Sequence, residues 1–199
     1  MLSAAMPASR GFTLIEVMVT ITVMTILVML AMPGMTAWVA NNRVRTVAEA
    51  MQNALRQAQG EAIKRSRQAV FALTTQVPTA EANATPSSNG SNWYLRTLPL
   101  SGSDDASGIF LRGEKVATTQ SVSITGSALL CFNSMGRLVT NASTGLGASC
   151  TAPTSLAYYT LTATGADRPL RVEVYLGGKV RMCDPNKTLS SSNPDGCAS

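Results

Sequence analysis

Between Phe12 and Met35 the chain reads FTLIEVMVTITVMTILVMLAMPGM. Glu16 is the last charged residue before Arg43, so about two dozen uncharged residues follow it. As a helix, Phe12 to Met32 would measure roughly 30 Å, the thickness of a bilayer core. A helix of a soluble core needs a polar face, and here only scattered Thr supply one. The stretch therefore reads as a membrane span. It is too long for an ordinary cleavable signal peptide, and it ends in Met32-Pro33-Gly34 rather than in a run of small residues. Pro33 removes one hydrogen bond and kinks or melts the helix near the end of the span. Met18, Met24, Met29, Met32 and Met35 are explained by lipid-facing or subunit-facing packing.

Glu16 needs a reason. A carboxylate inside the bilayer costs on the order of 3 kcal/mol at the centre and less near an interface. Upstream stand ten residues and Gly11, then Phe12-Thr13-Leu14-Ile15-Glu16. This arrangement resembles the class III signal of type IV pilins and type II secretion pseudopilins. The resemblance implies that residues 1–11 are a leader cut after Gly11 by prepilin peptidase on the cytoplasmic side. It also implies N-methylation at Phe12, and pairing of Glu16 with the terminal amine of a neighbouring subunit during assembly. Opposite charges at 4 Å attract by about 4 kcal/mol at intermediate dielectric, against a desolvation cost of similar size. Such a pair sets register more than it adds stability.

Downstream, a second helical stretch runs from about residue 36 to 68. Val44, Val47, Ala48, Met51, Leu55, Ala58, Ala62 and Ile63 recur at three- and four-residue spacing and form one apolar face. Gly60, which costs about 1 kcal/mol relative to Ala, marks a bend or a close contact. Lys64, Arg65 and Arg67 complement the helix dipole at its C-terminal end.

From residue 69 onward the pattern changes to short strands between turn signals. Strands are predicted at 69–75, 93–98, 109–116, 121–125, 128–133, 137–140, 156–164, 170–176 and 179–183. The stretches 77–92 and 141–154 read as polar loops, the first long enough to be mobile. Cys131, Cys150, Cys183 and Cys197 are an even set without a C-x-x-C pair, and the chain has no His, which argues against zinc and for disulfides. Of three connectivities, Cys131–Cys150 and Cys183–Cys197 are favoured because each closes a short loop. The fold class is α+β: one long N-terminal helix, a membrane half (12–35) and an amphipathic half (36–68), packed on a β-rich head (69–199).

The net charge of +5 is unevenly placed. Residues 43–67 hold six basic and two acidic residues, whereas everything beyond 67 has nine basic and eight acidic. A high pI is thus a property of the stalk, not of the whole surface.

The strand after the helix, Trp93, the Cys-Phe-Asn-x-x-Gly-Arg segment at 131–137 and Gly-Lys-Val-Arg-Met-Cys at 178–183 resemble the GspH/FimT group of minor pilins and pseudopilins. The resemblance implies a subunit made in the inner membrane with its N-terminus cytoplasmic and its head periplasmic. Its implied partners are other pilin or pseudopilin subunits, prepilin peptidase, an inner-membrane assembly platform and membrane lipid, with no cofactor and no metal. Some FimT-like proteins contribute to DNA uptake through a Gly-Arg-x-Arg motif. The matching positions here are Gly178, Lys179, Val180 and Arg181, with Lys in place of the first Arg, so DNA is a further implied ligand of Lys179, Arg181 and Arg171.

The residues themselves offer another reading of Arg181. A three-residue loop at 176–178 pairs Val174 with Val180 and Val172 with Met182, which sets Glu173 opposite Arg181 as a cross-strand ion pair and leaves Lys179 free. Arg168 and Lys187 would extend a modest basic patch, with few aromatics near it for stacking single-stranded DNA.

Three roles follow. One is a minor pilin supporting biogenesis of a type IV pilus, with or without DNA uptake. The second is the H-type pseudopilin of a type II secretion system. The third, an extracytoplasmic enzyme, finds no nucleophile–base–acid constellation to support it.

Overall fold

A computed structural model describes residues 11–80, 84–99, 108–116 and 121–198, the side chains of 31–33 apart. One helix, α1, runs from Leu14 to Lys64. It ends as a Schellman motif with Ser where Gly is usual. Arg65 caps it, Ser66 takes φ +50°, and the Arg67 amide donates to the Ala62 carbonyl at 3.2 Å. This turn stops the helix one turn earlier than the expected residue 68 and delivers the chain into the first strand.

Eleven strands follow among the described residues: β1 (Ala69–Thr74), β2 (Asn89–Gly90), β3 (Asn92–Thr97), β4 (Phe110–Lys115), β5 (Val122–Gly126), β6 (Leu129–Phe132), β7 (Leu138–Val139), β8 (Leu156–Ala163), β9 (Leu170–Tyr175), β10 (Val180–Thr188) and β11 (Gly196–Cys197). They form two sheets, ordered β4-β3-β1-β6-β7 and β11-β10-β9-β8-β5-β2. The second half of α1 packs across both. Val44, Val47, Ala48, Met51, Leu55, Ala58 and Ala62 enter one core with Phe71, Leu73, Trp93 and Leu95 of the first sheet and Ile124, Leu161, Val172 and Val174 of the second. Burying a side chain such as Leu55 or Val172 stabilises the fold by about 1.5–3 kcal/mol each.

Ile63 departs from the expected apolar face and is 50% exposed. Ala62 takes the inward position, and the next residue lies about 100° further round the helix. Gly60 is exposed, and among the described residues nothing beyond its own stretch of helix lies within 4 Å of where a Cβ would stand, so no close contact with the head accounts for it there.

β1 is apolar from Ala69 to Leu73 because both its faces are covered. Phe71 and Leu73 face α1, while Val70 and Ala72 face a second cluster with Tyr94, Leu129 and Leu146. The Cys131–Cys150 disulfide ties the 141–150 loop over that cluster, with Cα atoms 5.8 Å apart. The loop at 77–92 is not wholly free either. Tyr94 Oη donates to the Ala84 carbonyl at 2.9 Å, and Asn89–Gly90 pairs with β5 as an edge strand. Residues 81–83 of that loop lie outside the described residues.

The β9–β10 hairpin has the odd register that side-chain alternation demands: Val180 opposite Val174, Arg181 opposite Glu173, Met182 opposite Val172. Its loop turns on Gly178, at φ +89°, which lies buried against the Gly136 carbonyl and the Gln59 side chain. A Cβ there would overlap both, so only Gly closes this hairpin onto the stalk. β10 runs past the expected end at Cys183 to Thr188, through Pro185, and pairs with β11 in an irregular parallel ladder. A proline without an N–H is tolerated at such an irregular edge.

Tyr159 sits fully buried in the core, edge-on to Phe71 at 5.3 Å between ring centroids, and its hydroxyl has no hydrogen-bond partner among the described residues. Burial pushes its ionisation well above the usual tyrosine range. A raised folded pKa means that the unfolded chain releases this proton first, so stability is full below pH ~10 and falls as pH rises beyond it. Tyr159→Phe removes an unsatisfied hydroxyl and this linkage. Urea denaturation should show stability unchanged or raised by about 1 kcal/mol at neutral pH, with a wider alkaline margin.

Candidate functional site

At its N-terminal end α1 begins on Thr13, whose Oγ1 accepts from the Glu16 amide at 3.3 Å. Thr13-x-x-Glu16 is the pattern of a capping box, with Glu16 in the first turn where helix dipole and carboxylate attract. Thr13 is a residue whose role the sequence reading missed, although Thr three residues before Glu at the head of an apolar run is its signature. Phe12 stands beside it, 83% exposed. Residues 1–10, the greater part of the expected leader, lie outside the described residues.

From Leu14 to Leu30 every residue is exposed. The only polar side chains there besides Glu16 are Thr20, Thr22 and Thr25, whose hydroxyls donate to the carbonyls of Val17, Met18 and Ile21 at 2.8–2.9 Å. Each hydroxyl is thus satisfied within the helix, and the surface that remains is apolar all round. The axes of Leu14–Leu30 and Gly34–Lys64 differ by 42°, a change of direction that falls across residues 31–33. Among the described residues no single straight helix is long and apolar enough to cross a membrane, whereas this bent pair together meets the requirement of length and composition.

The second candidate site is the outer face of the second sheet. Arg171 on β9 lies over the Tyr158 ring of β8, 4.3 Å from its centroid, and Lys179 lies 5.6 Å from the centroid of Tyr175. The expectation of few aromatics is therefore wrong at this face. Tyr158, 47% exposed, alternates with the buried Tyr159, but its place beside Arg171 depends on β8 pairing with β9, which no local pattern announces. Lys179 is exposed yet not free of contacts, since its ammonium has the ring beneath it.

Arg181 is engaged elsewhere. Its Nη2 donates to the Gly196 carbonyl, and its Nε lies 4.0 Å from the Glu173 carboxylate. Glu173 is fully buried. Its Oε1 accepts from the Ala198 amide at 2.9 Å, and its Oε2 accepts from Tyr175 Oη at 3.2 Å. Burial first, then the neighbouring Glu173 charge, raises the Tyr175 hydroxyl above its ordinary pKa and keeps it a donor. The Cys183–Cys197 disulfide pins the tail over this group, with Cα atoms 5.0 Å apart. Glu173, Cys183 and Cys197 lie close enough together to suggest a metal cage, but both sulfurs are committed to the disulfide.

Arg168 and Lys187 do not join this face. Lys187 bonds Asp195 at 2.6 Å, which holds that carboxyl below its usual range, and both residues lie at the opposite end of the hairpin, beside Asn41 and Arg45.

Residues 6–32 match the family model of the prokaryotic N-terminal methylation motif, and residues 47–178 match that of the type II transport protein GspH. The chain therefore belongs to the GspH family. Among solved structures, the type IV minor pilin FimU of Pseudomonas aeruginosa matches at 16% identity over 73% of this chain and 92% of that one, with a TM-score of 0.51. A second crystal form of FimU matches at 16% identity over 72% and 94%, with a TM-score of 0.48. The minor pseudopilin EpsH from the type 2 secretion system of Vibrio cholerae matches at 13% identity over 73% and 99%, with a TM-score of 0.45. No curated protein matches the chain. The first FimU structure shares the fold: a long helix on a β-rich, pilin-like head.

Arg181 and Lys179, two residues apart, are expected to behave differently. Arg181→Ala leaves the Glu173 carboxylate buried without its cation and removes one anchor of the tail, at a cost of about 1–3 kcal/mol. Lys179→Ala removes only an exposed cation–aromatic contact, at about 0.5–1 kcal/mol. Thermal unfolding followed by circular dichroism separates the two.

Proposed function

We propose that the chain is an inner-membrane-anchored subunit of a pilus-type filament, cut after Gly11, methylated at Phe12 and assembled through Glu16. The observation that carries this reading is the exposed apolar surface of Leu14–Leu30, with Glu16 in its capped first turn. Among the described residues nothing in the head covers that surface, and water is a poor solvent for it; lipid before assembly and other subunits' helices afterwards supply what it lacks. Residues 12–35 are then the membrane half and 36–68 the stalk, with the head of 69–199 periplasmic. Pro33 gives the helix its change of direction where it leaves the bilayer. Prepilin peptidase and an inner-membrane platform are the implied processing and assembly partners.

Glu16 meets the new amine of the adjacent subunit on this reading. Glu16→Leu should leave membrane insertion intact and reduce filament incorporation by tenfold or more, consistent with losing roughly 1.4 kcal/mol or more of register energy. Fractionation and immunoblotting of sheared filaments measure both, and incorporation at the native level would refute the assignment.

Within this reading a type IV pilus is favoured, and the pseudopilus of a type II secretion system is the second possibility, supported by the description of the GspH family. Pilus counts and secretion assays in a deletion strain separate them. A contribution to DNA uptake draws support from the Arg171–Tyr158 and Lys179–Tyr175 pairs, which offer cations and rings on one face. Arg181 acts in this scheme by holding the tail, not by touching DNA. Arg171→Ala/Lys179→Ala in the full chain should weaken single-stranded DNA binding in gel shifts and flatten its salt dependence by about one to two ion equivalents. Equal binding by both forms would leave nonspecific attraction only.

A further inference from the structure

Where α1 leaves its apolar half, a cleft of about 360 Å³ opens between the helix and the β9–β10 hairpin. That volume falls in the range of small-ligand sites. Trp38 and Arg45, seven residues apart and so on one helix face, form one wall; Arg168 forms the other, and Leu170 and Met182 the floor. The walls are held together by Asn41. Its Nδ2 donates to Asp167 Oδ1 at 2.5 Å, and its Oδ1 accepts from the Arg168 amide at 3.1 Å. One amide side chain thus fixes the turn after β8 against the helix and sets Arg168 opposite Arg45.

We propose that this cleft binds the headgroup of an anionic phospholipid of the bilayer that anchors the chain. The inference rests on the membrane-anchored reading above and adds a lipid class and a site to it. Three observations carry it.

The first is chemistry. Two guanidiniums beside an apolar floor match a phosphate joined to a glycerol and acyl chain, and Arg binds phosphate oxygens in pairs. Arg45 pairs with Glu49 at 2.9 Å, a solvent-exposed contact weak enough to be exchanged. Asp167 is held by Asn41, and Asp195, which feels the field of Arg168, is bonded to Lys187.

The second is position. Trp38, 66% exposed, stands three residues beyond Met35, where a tryptophan ring settles at the edge of a bilayer. About 15 Å of helix separates Met35 from Arg45. Tilting this half by the 42° bend brings Arg45 lower.

The third is direction. Helical side chains lean toward the N-terminus, which here is toward the membrane, so Trp38 and Arg45 reach back to headgroup depth.

The full chain in nanodiscs tests this through Trp38 fluorescence, with the core residue Trp93, 2% exposed, as the shielded background. Brominated phosphatidylglycerol and brominated phosphatidylcholine, at equal fractions, are the quenchers. Phosphatidylglycerol should quench Trp38 about two- to fivefold more strongly, a bias that Arg45→Gln/Arg168→Gln abolishes. Arg43→Gln, an exposed cation outside the cleft, should leave it in place. Equal quenching by both lipids overturns the site, as does a bias that survives the double substitution or that falls equally with Arg43→Gln. A chain that enters no disc, with Trp38 quenched by neither lipid, overturns the anchored reading itself and the site with it.

Discussion

The apolar surface of Leu14–Leu30 is the constraint on which the rest depends. Its three threonine hydroxyls are satisfied inside the helix, so, Glu16 apart, its side chains are complete as hydrogen bonding and unfinished as packing. No described residue of the head finishes it, because the core-facing stripe of the second half, from Val44 to Ala62, already takes up the inner faces of both sheets. The two halves of one helix therefore answer to different solvents. The half that meets the sheets is amphipathic with a clean three-four spacing, and the half that does not is apolar on all sides.

That division explains how the head is fastened. A head packed on a single helix can slide along it unless polar contacts fix the register. Here they stand at both ends of the interface: Asn41 on the 167–168 turn near the bend, and Gln59 Nε2 on the Gly136 carbonyl, 2.9 Å away, at the far end. Arg56 adds a donor toward the Val180 carbonyl at 3.4 Å. Each of these side chains reaches a backbone atom or a turn, positions that do not shift with side-chain rotamers. The buried Gly178 belongs to the same scheme, since a side chain there would push the hairpin off the stalk.

Much of this architecture was legible in the chain, because its main elements are built from local rules. Phe12 to Glu16, the apolar run and the alternation in β8, β9 and β10 name their own elements, and alternation alone selected the odd hairpin register. What stayed hidden depends on neighbours distant in sequence. Asn89-Gly90 has the composition of a turn, and it is a strand only because β5 offers a free edge. Asp184-Pro185 likewise reads as a stop, and continues as β10 because the disulfide brings Gly196 alongside. Tyr158 comes to lie under Arg171 through pairing of β8 with β9, a long-range fact. Ile63 fitted the helical period and still faces out, since at the last turn a period does not say where the sheet ends.

The charges follow the same geometry, and they argue against a single basic surface. Arg45 and Arg168 lie at the bend end of the head, where Asp167, Asp184 and Asp195 interleave with them and with Lys187. Arg171 and Lys179 lie on the outer face of the β9–β10 hairpin, each over a ring. Between the two groups stands the buried Glu173, to which Arg181 is turned. A cation facing a fully buried carboxylate and capping a backbone carbonyl is part of the fold, and withdrawing it to bind an outside anion would strand that carboxylate. The Gly-Lys-Val-Arg segment therefore divides its labour. Gly178 shapes the turn, Lys179 faces outward, Val180 enters the core, and Arg181 holds the C-terminal tail in place. A likeness in sequence at those four positions does not by itself make four contacts with one ligand.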